Sequence, residues 1–349
     1  MDDDGAGDRM DSEPLLVVAG SIHYDQLLRL PRLPGPNDRL SAIESTLAPG
    51  GMGGNVAAIA GRLGARVRFA GSFADDDDGR SLREDLDRDG VDVRHAGGHP
   101  GPSWRGLVLV GAGGDRAIVS GSASSRESDR APGQWPGQAT RREPRRDAPD
   151  YAAVVAAPLR EPGLFAGDVA GFACPGAFAP LLLPLVPAGV PLFMDIETGH
   201  LDDLTDDAVR AILRRTTVVY ANEGNAGRLA ERLAGGAIAA LATLVGDALV
   251  VTRGAAGCRV LRAGEVWDIP GVEVDVADTT GAGDSFAAAF TVTWLRGMAP
   301  ERAGAFANFI AGLSTRSLGS RCGVPDRATV ELAWGRALRD DVRERHDSV

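Results

Sequence analysis

The chain has 349 residues, 44% of them hydrophobic and 24% charged, which gives ample length for one large α/β domain or two medium ones. A net charge of −11 argues against a nucleic-acid surface, which needs clustered cations, and no apolar run is long enough to span a bilayer. All 37 basic residues are Arg, so a Walker A lysine, a protein-kinase strand lysine and a Schiff base to pyridoxal phosphate are excluded.

The opening stretch MDDDGAGDRMDSEP (1–14) is acidic and polar, unlike a secretory or mitochondrial leader, and reads as a disordered tail on a cytoplasmic protein. A second tail is expected over 341–349. Cys174, Cys258 and Cys322 are widely spaced, and with five His they argue against a disulfide framework or a structural zinc site.

In chain order, LLVVAG (15–20) reads as a buried strand and NVAAIAGRLG (55–64) as a helix closed by Gly64. VRFAG (67–71) reads as a strand and GRSLREDLDRDG (79–90) as an amphipathic helix. YAAVVAA (151–157) and VPLFMD (190–195) follow as strands, then DDAVRAILRR (206–215) as a helix. TVVYAN (217–222) and ALVVTRG (248–254) are strands again. This alternation predicts a mainly parallel sheet with helices on both faces, and ligands beyond the carboxyl ends of its strands. Two segments break the rhythm, 26–48 and 103–121. They read as short strands around Gly/Pro turns and suit a small β-sheet lid. The Ser-, Gly-, Pro- and Arg-rich stretch 122–149 reads as a flexible insertion, although some of its Arg could fold over a phosphate.

Two glycine-rich helix starts carry the chemical signal. GGMGGNVAAIAGRLG (50–64) and DTTGAGDSFAAAF (278–290) each bring free helix amides next to a flexible backbone. Neither is a dinucleotide fingerprint, because Val56 and Phe286 occupy the third glycine position. Each could be no more than a capped helix start. A cleft shared by two ligands would account for both. The acidic run ADDDDG (74–79) reads as a surface turn before a helix, since four consecutive acids cannot face one ion. Asp195 and Glu197 end a core strand, where they could approach phosphates through magnesium.

The two glycine-rich segments resemble the signature motifs of the PfkB, or ribokinase-like, family of carbohydrate and nucleoside kinases. VVAGSIHYDQLLRLPRLP, AGSFADDDDGRSLREDLDRDGVDV, VVTRGAAGCRV and ANFIAGLSTRSLG resemble other family segments, in family order. The resemblance implies a ribokinase-like three-layer α/β sandwich with a mainly parallel central sheet over about 15–340, carrying the β-sheet lid. It implies ATP and Mg2+ as cofactors and a sugar or nucleoside as acceptor. Asp284 would be the general base, and the amides of Gly281, Ala282 and Gly283 the anion hole. Asp25, Gly51 and Asn55 would bind the acceptor, with His23 as a further contact or a packing residue. Asn222, Thr252, Gly254, Gly257 and Asn308 would bind the nucleotide, and Asp278 with Thr280 a monovalent cation, potassium. NEGN resembles the family's N-x-x-E motif but has Asn225 in place of the last Glu, which leaves Glu223 as the nearby magnesium carboxylate. APLREP lacks an acidic sugar contact seen in ribokinases, so sugar and nucleoside acceptors both stay open. So does a ligand-binding relative that lost catalysis. The resemblance also implies a homodimer through the lid, with no nucleic-acid or membrane partner.

Overall fold

The computed structural model describes residues 13–121, 151–197 and 199–335. The acidic start through residue 12, the insertion at 122–149 and the tail at 341–349 lie outside the described residues. The chain opens with β1 (Leu15–Ala19), makes β2 (His23–Arg29) and β3 (Glu44–Gly50), and turns into α1 (Met52–Arg62). There follow β4 (Arg66–Ala70), β5 (Ser72–Ala74), α2 (Asp77–Arg88), β6 (Val91–Asp92), β7 (Gly97–His99), β8 (Arg105–Val110) and β9 (Arg116–Gly121). The next stretch alternates α3 (Tyr151–Ala156), β10 (Val169–Pro175), α4 (Ala179–Leu182), β11 (Leu192–Ile196), α5 (Asp206–Arg215) and β12 (Val218–Asn222). Then come α6 (Glu223–Ala234), α7 (Ile238–Ala242), β13 (Ala248–Thr252), β14 (Cys258–Arg262), β15 (Glu265–Ile269), α8 (Ala282–Leu295) and α9 (Pro300–Ser314).

Nine strands form the main sheet in the order β15-β14-β13-β12-β11-β10-β1-β4-β6, parallel except for the last two pairings at the β15 edge. Side chains alternate between its faces, as strand geometry requires. Leu16, Val18, Val218 and Tyr220 face one way, in a core shared with α1, α2, α8 and α9. Val17 and Ala19 face the opposite way, as do Val219 and Ala221, in two further apolar clusters. Both faces are therefore buried, and the molecule is a three-layer α/β sandwich. The order reverses at β1, with β4 on one side and β10 on the other. That reversal opens a crevice at the carboxyl ends of β1 and β10.

A four-stranded sheet, β3-β2-β8-β9, stands apart from the main one and contains the segments expected as a lid. Leu27, Ala48, Val108 and Val110 form its small core. Asp76 joins it to the body. Its carboxylate accepts from the amide of Gly79 at 2.8 Å, capping α2, and from the amide and hydroxyl of Ser103, both at 2.6 Å. Asp78, from the same acidic run, pairs with Arg105 at 2.6 Å.

One expected strand is a helix. Residues 151–156 form α3, and the strand beside β1 is VAGFACP. A short apolar run has no period that separates strand from buried helix, and Ala favours the helix. The actual strand was masked by Gly171 and Pro175. Among the described residues, no helix is long and apolar enough to cross a membrane.

Candidate active site

The two glycine-rich segments meet. Both α1 and α8 begin at the crevice, and Asn55 Nδ2 in the first turns of α1 donates to Asp284 Oδ2 at 2.6 Å. These residues stand 229 positions apart in sequence. Gly51 precedes α1 with φ 85°, and Gly281 precedes α8 with φ 73°. A side chain at Gly281 would place its Cβ 2.5 Å from that of Ser320, so this turn needs glycine for its conformation and its packing. Gly283 differs: a Cβ there meets nothing within 4 Å and would project into open space.

The amide accounting at the start of α8 differs from expectation by one residue. Ala282 N donates to Thr279 O at 3.3 Å, and Ser285 N to Gly281 O at 2.9 Å. Among the described residues, the amides of Gly281, Gly283 and Asp284 have no internal acceptor. The amides left free at this helix start are therefore those of Gly281, Gly283 and Asp284, while that of Ala282 is engaged.

Asp284 is 8% exposed. Burial pushes its carboxyl up to about 7; the Asn55 hydrogen bond opposes the rise, the Glu197 charge adds to it, and Arg116 and Arg321 oppose it. Asp195, on β11, lines the same cavity, and burial together with the charges of Asp284 and Glu197 raises its carboxyl well above the usual range. Val18, Gly53, Ala173, Phe193 and Tyr220 also line that cavity.

Asp25 lies on β2, 7% exposed, with His23 Nε2 3.2 Å from its Oδ1. Its carboxylate sits between Gly50 and Gly106 on the neighbouring strands, where a Cβ on either glycine would overlap it. Asp278 is fully buried, and both of its oxygens are in use. Oδ1 accepts from the amide and hydroxyl of Thr280 at 2.8 and 2.6 Å, and Oδ2 from the amide of Gly319 at 3.0 Å. In the structure this pair fixes the turn before α8.

The residues expected on the nucleotide side line the same edge of the main sheet. Asn222 and Thr252 are paired at the ends of β12 and β13, and Asn222 Oδ1 caps α6 by accepting from Asn225 N at 2.8 Å. Gly254 faces open space, whereas Gly257 is pressed against Ile269 and Gly271. Asn308 spends its amide on the carbonyls of Pro270 at 2.8 Å and Ile269 at 3.4 Å, so it ties α9 to the end of β15. Asn225 is buried and donates to Ile196 O at 3.1 Å, joining α6 to the end of β11. Glu223 is exposed in the first turn of α6 and acts electrostatically on Arg259.

Two arginines absent from the sequence reading reach this site. Arg116, on lid strand β9, donates through Nη1 to Thr279 O at 2.8 Å and Oγ1 at 2.6 Å. Arg321, in the segment after α9, donates through Nε to Asn55 Oδ1 at 3.0 Å.

The donor set suits phosphate and magnesium. Unsatisfied amides at a helix start bind anions, and carboxylate oxygens are hard ligands. Among the described residues no group of three or more His, Cys, Asp or Glu could hold a metal ion by itself. Magnesium that shares its ligands between one or two carboxylates and substrate phosphates does not require such a group.

A mostly parallel sheet with a crevice at its reversal point, accompanied by a separate four-stranded β-sheet, defines a ribokinase-like α/β protein. The chain belongs to the pfkB family of carbohydrate kinases, whose family model matches residues 13–136 and 189–327. The chain is 28% identical over 318 residues to ribokinase from Bacillus subtilis, covering 90% of this chain and 98% of that protein. Its fold is similar to Burkholderia thailandensis nucleoside kinase, solved in complex with inosine, with a TM-score of 0.71 and 19% identity over 93% of this chain and 97% of that one. It is also similar to a putative ribokinase II from E. coli, solved in complex with ATP and Mg2+, with a TM-score of 0.69 and 22% identity over 93% of this chain and 100% of that one.

Proposed function

We propose that the protein transfers the terminal phosphoryl group of ATP to a hydroxymethyl group of a sugar or nucleoside, with Asp284 as the general base. The observation that carries this reading is one junction: a buried carboxylate held at 2.6 Å by Asn55, next to open amides at Gly283 and Asp284. The Asp284 carboxylate takes the proton of the acceptor hydroxyl as its oxygen attacks the terminal phosphorus. The bond from that phosphorus to the bridging oxygen breaks, and ADP leaves. The amides of Gly281, Gly283 and Asp284 neutralise charge on the moving group. A base held near pH 7 is suited to this task at neutral pH.

Asp25, with His23, Gly51 and Asn55, would receive the acceptor hydroxyls, since an ionised carboxylate only accepts hydrogen bonds. Asn222, Thr252, Gly254 and Gly257 would line the nucleotide, with Asn308 holding the strand end beside it. Magnesium would supply positive charge to the phosphates, with Asp195, Glu197 and Glu223 as the carboxylates that would hold it. Potassium dependence rests on Asp278 and Thr280, whose buried turn sets the approach to α8. The exposed lid residues Ile43, Leu47, Ile118 and Val119 favour a homodimer in which a second copy covers the lid.

A second reading, a ligand-binding relative without catalysis, is favoured by Asn225, whose amide already serves Ile196 O. Measuring ADP release across ribose, other sugars and nucleosides, with ATP, magnesium and varied potassium, separates the two. Turnover of at least one acceptor is expected. Calorimetric binding without any turnover would overturn the kinase reading.

A further inference from the structure

Arg321 is 3% exposed and sits behind Asn55, on the side away from Asp284. Its Nε donates to Asn55 Oδ1 at 3.0 Å, its Nη2 is 3.4 Å from Gly50 O, and its Nη1 is buried without a partner among the described residues. Burying a guanidinium costs free energy, and a buried N–H with no acceptor adds to the cost. A purely structural side chain at this position would be better served by an apolar residue of similar volume.

The hydrogen bonds give this arrangement a direction. Arg only donates, so the Asn55 carbonyl must face Arg321 and the Asn55 amide must face Asp284. An ionised carboxylate accepts from that amide. A protonated carboxyl keeps only its carbonyl oxygen for that amide, a weaker acceptor than a carboxylate, so the donated hydrogen bond favours the ionised form. With Arg321 absent, Asn55 could turn over and offer its carbonyl to a protonated Asp284.

We propose that Arg321 is a positioning residue that locks Asn55 in the orientation presenting its amide to Asp284, and so holds the proposed base in its ionised form. This rests on the reading of Asp284 as the base. Other charged groups also face the pair. Glu197 and Asp195 face Asp284 from the β11 side, and Arg116 faces it from the lid. Arg62 on α1, Asp85 on α2 and Asp89 just after α2 act on Arg321. Of all these, Arg321 alone hydrogen-bonds the residue that touches the base. Burial lowers the Arg321 guanidinium to about 10, which leaves it charged at neutral pH.

The test is the titration midpoint of the Asp284 carboxyl, read by 13C NMR on Asp-labelled protein and assigned by difference from D284N. The acid limb of kcat/KM is measured beside it. In R321M both midpoints should move up by about one pH unit, a tenfold gain in proton affinity. In R321K, which keeps a charge and a donor, they should stay close to wild type. An unchanged midpoint in folded R321M would overturn the proposal and leave Arg321 as a packing residue. If R321M does not fold, R321Q decides, because Gln can accept as well as donate and removes the lock: its midpoint should rise, and an unchanged one overturns the proposal. The NMR midpoint needs no turnover, so an inactive wild type would sink the kinase reading while this result still stands or falls by itself.

Discussion

The amide of Asn55 and the carboxylate of Asp284 meet at 2.6 Å in a buried site, and this contact turns two distant glycine-rich helix starts into one crevice. It also balances the site. Burial favours the neutral carboxyl, while the donated hydrogen bond favours the charged one. The Asp284 carboxyl is thereby held at about 7, a range where a base can both take and release a proton near neutrality.

A pH profile follows with a definite sign. A base must be ionised to accept a proton, so kcat/KM for the acceptor should fall tenfold per unit below about pH 7 and level off above it. A flat profile between pH 5.5 and about 8 would contradict the assignment of Asp284.

The same raised carboxyl has a stability consequence. The folded state binds the Asp284 proton more tightly than the unfolded chain, so this group's contribution is fully present below about pH 4 and is lost as pH rises through about 7. Replacing it with Asn removes a charge that is costly to bury. Asp284→Asn should therefore raise Tm at pH 8, by an amount reflecting a few kcal/mol, and should change it little at pH 4. Equal Tm differences at both pH values would show that burial of the charge is not what sets this carboxyl.

Gly281 and Gly283 should respond differently to alanine. At 281 the methyl would strike Ser320 in a backbone conformation with φ 73°, so Gly281→Ala should lower Tm by several degrees. At 283 the methyl meets only open space, and Tm should hold. Turnover of Gly283→Ala should nevertheless fall by about a hundredfold if the proposed cradle holds, because the methyl would then stand between the moving phosphoryl group and the amides. Full activity in Gly283→Ala would remove the anion cradle from the account.

Gly106→Ala tests the acceptor side. Its Cβ would overlap the Asp25 carboxylate from β8, forcing that carboxylate out of position. Steady-state kinetics should show a rise of about tenfold or more in acceptor KM, with ATP KM within a few fold of wild type. A change in the ATP constant alone would place Asp25 on the wrong ligand.

Arg116→Met tests the lid contact. Arg116 holds the carbonyl and hydroxyl of Thr279, and the Thr279 hydroxyl in turn donates to Gly114 O at 3.2 Å, so three hydrogen bonds fasten the lid to the turn before α8. Hydrogen exchange over 105–121 should speed up in the variant while the central strands β10 to β12 keep their protection. Unchanged exchange in the lid would mean that this contact does not hold it.

Much of the fold was open to reading because the buried strands are short, β-branched and regularly spaced. LLVVA and ALVVT are legible on composition alone. VAGFACP was not, since Gly171 and Pro175 look like loop residues, and the nearby Ala-rich run that looked like a strand is α3. At the crevice, the motifs singled out Asp284, Asn55, Asp25 and His23, and the structure joins them in two pairs, Asn55 with Asp284 and His23 with Asp25. Asn308 and Asp278 carry the expected residue types, and the structure shows their side chains engaged with backbone and turn groups. Arg116 and Arg321 stood outside every motif. Nothing in a chain with 37 basic residues marks which Arg is buried, because that depends on packing between segments more than 200 positions apart. The only local hint was Arg321's place between Gly319 and Gly323, in a turn after a long helix.

Single-turnover phosphoryl transfer by Asp284→Asn, with the best acceptor from the substrate panel, puts the central claim to the most direct test. Loss of a general base should cut the rate by about a hundredfold to ten-thousandfold while ATP affinity stays within a few fold of wild type. Transfer at the wild-type rate in a folded Asp284→Asn protein would contradict the account.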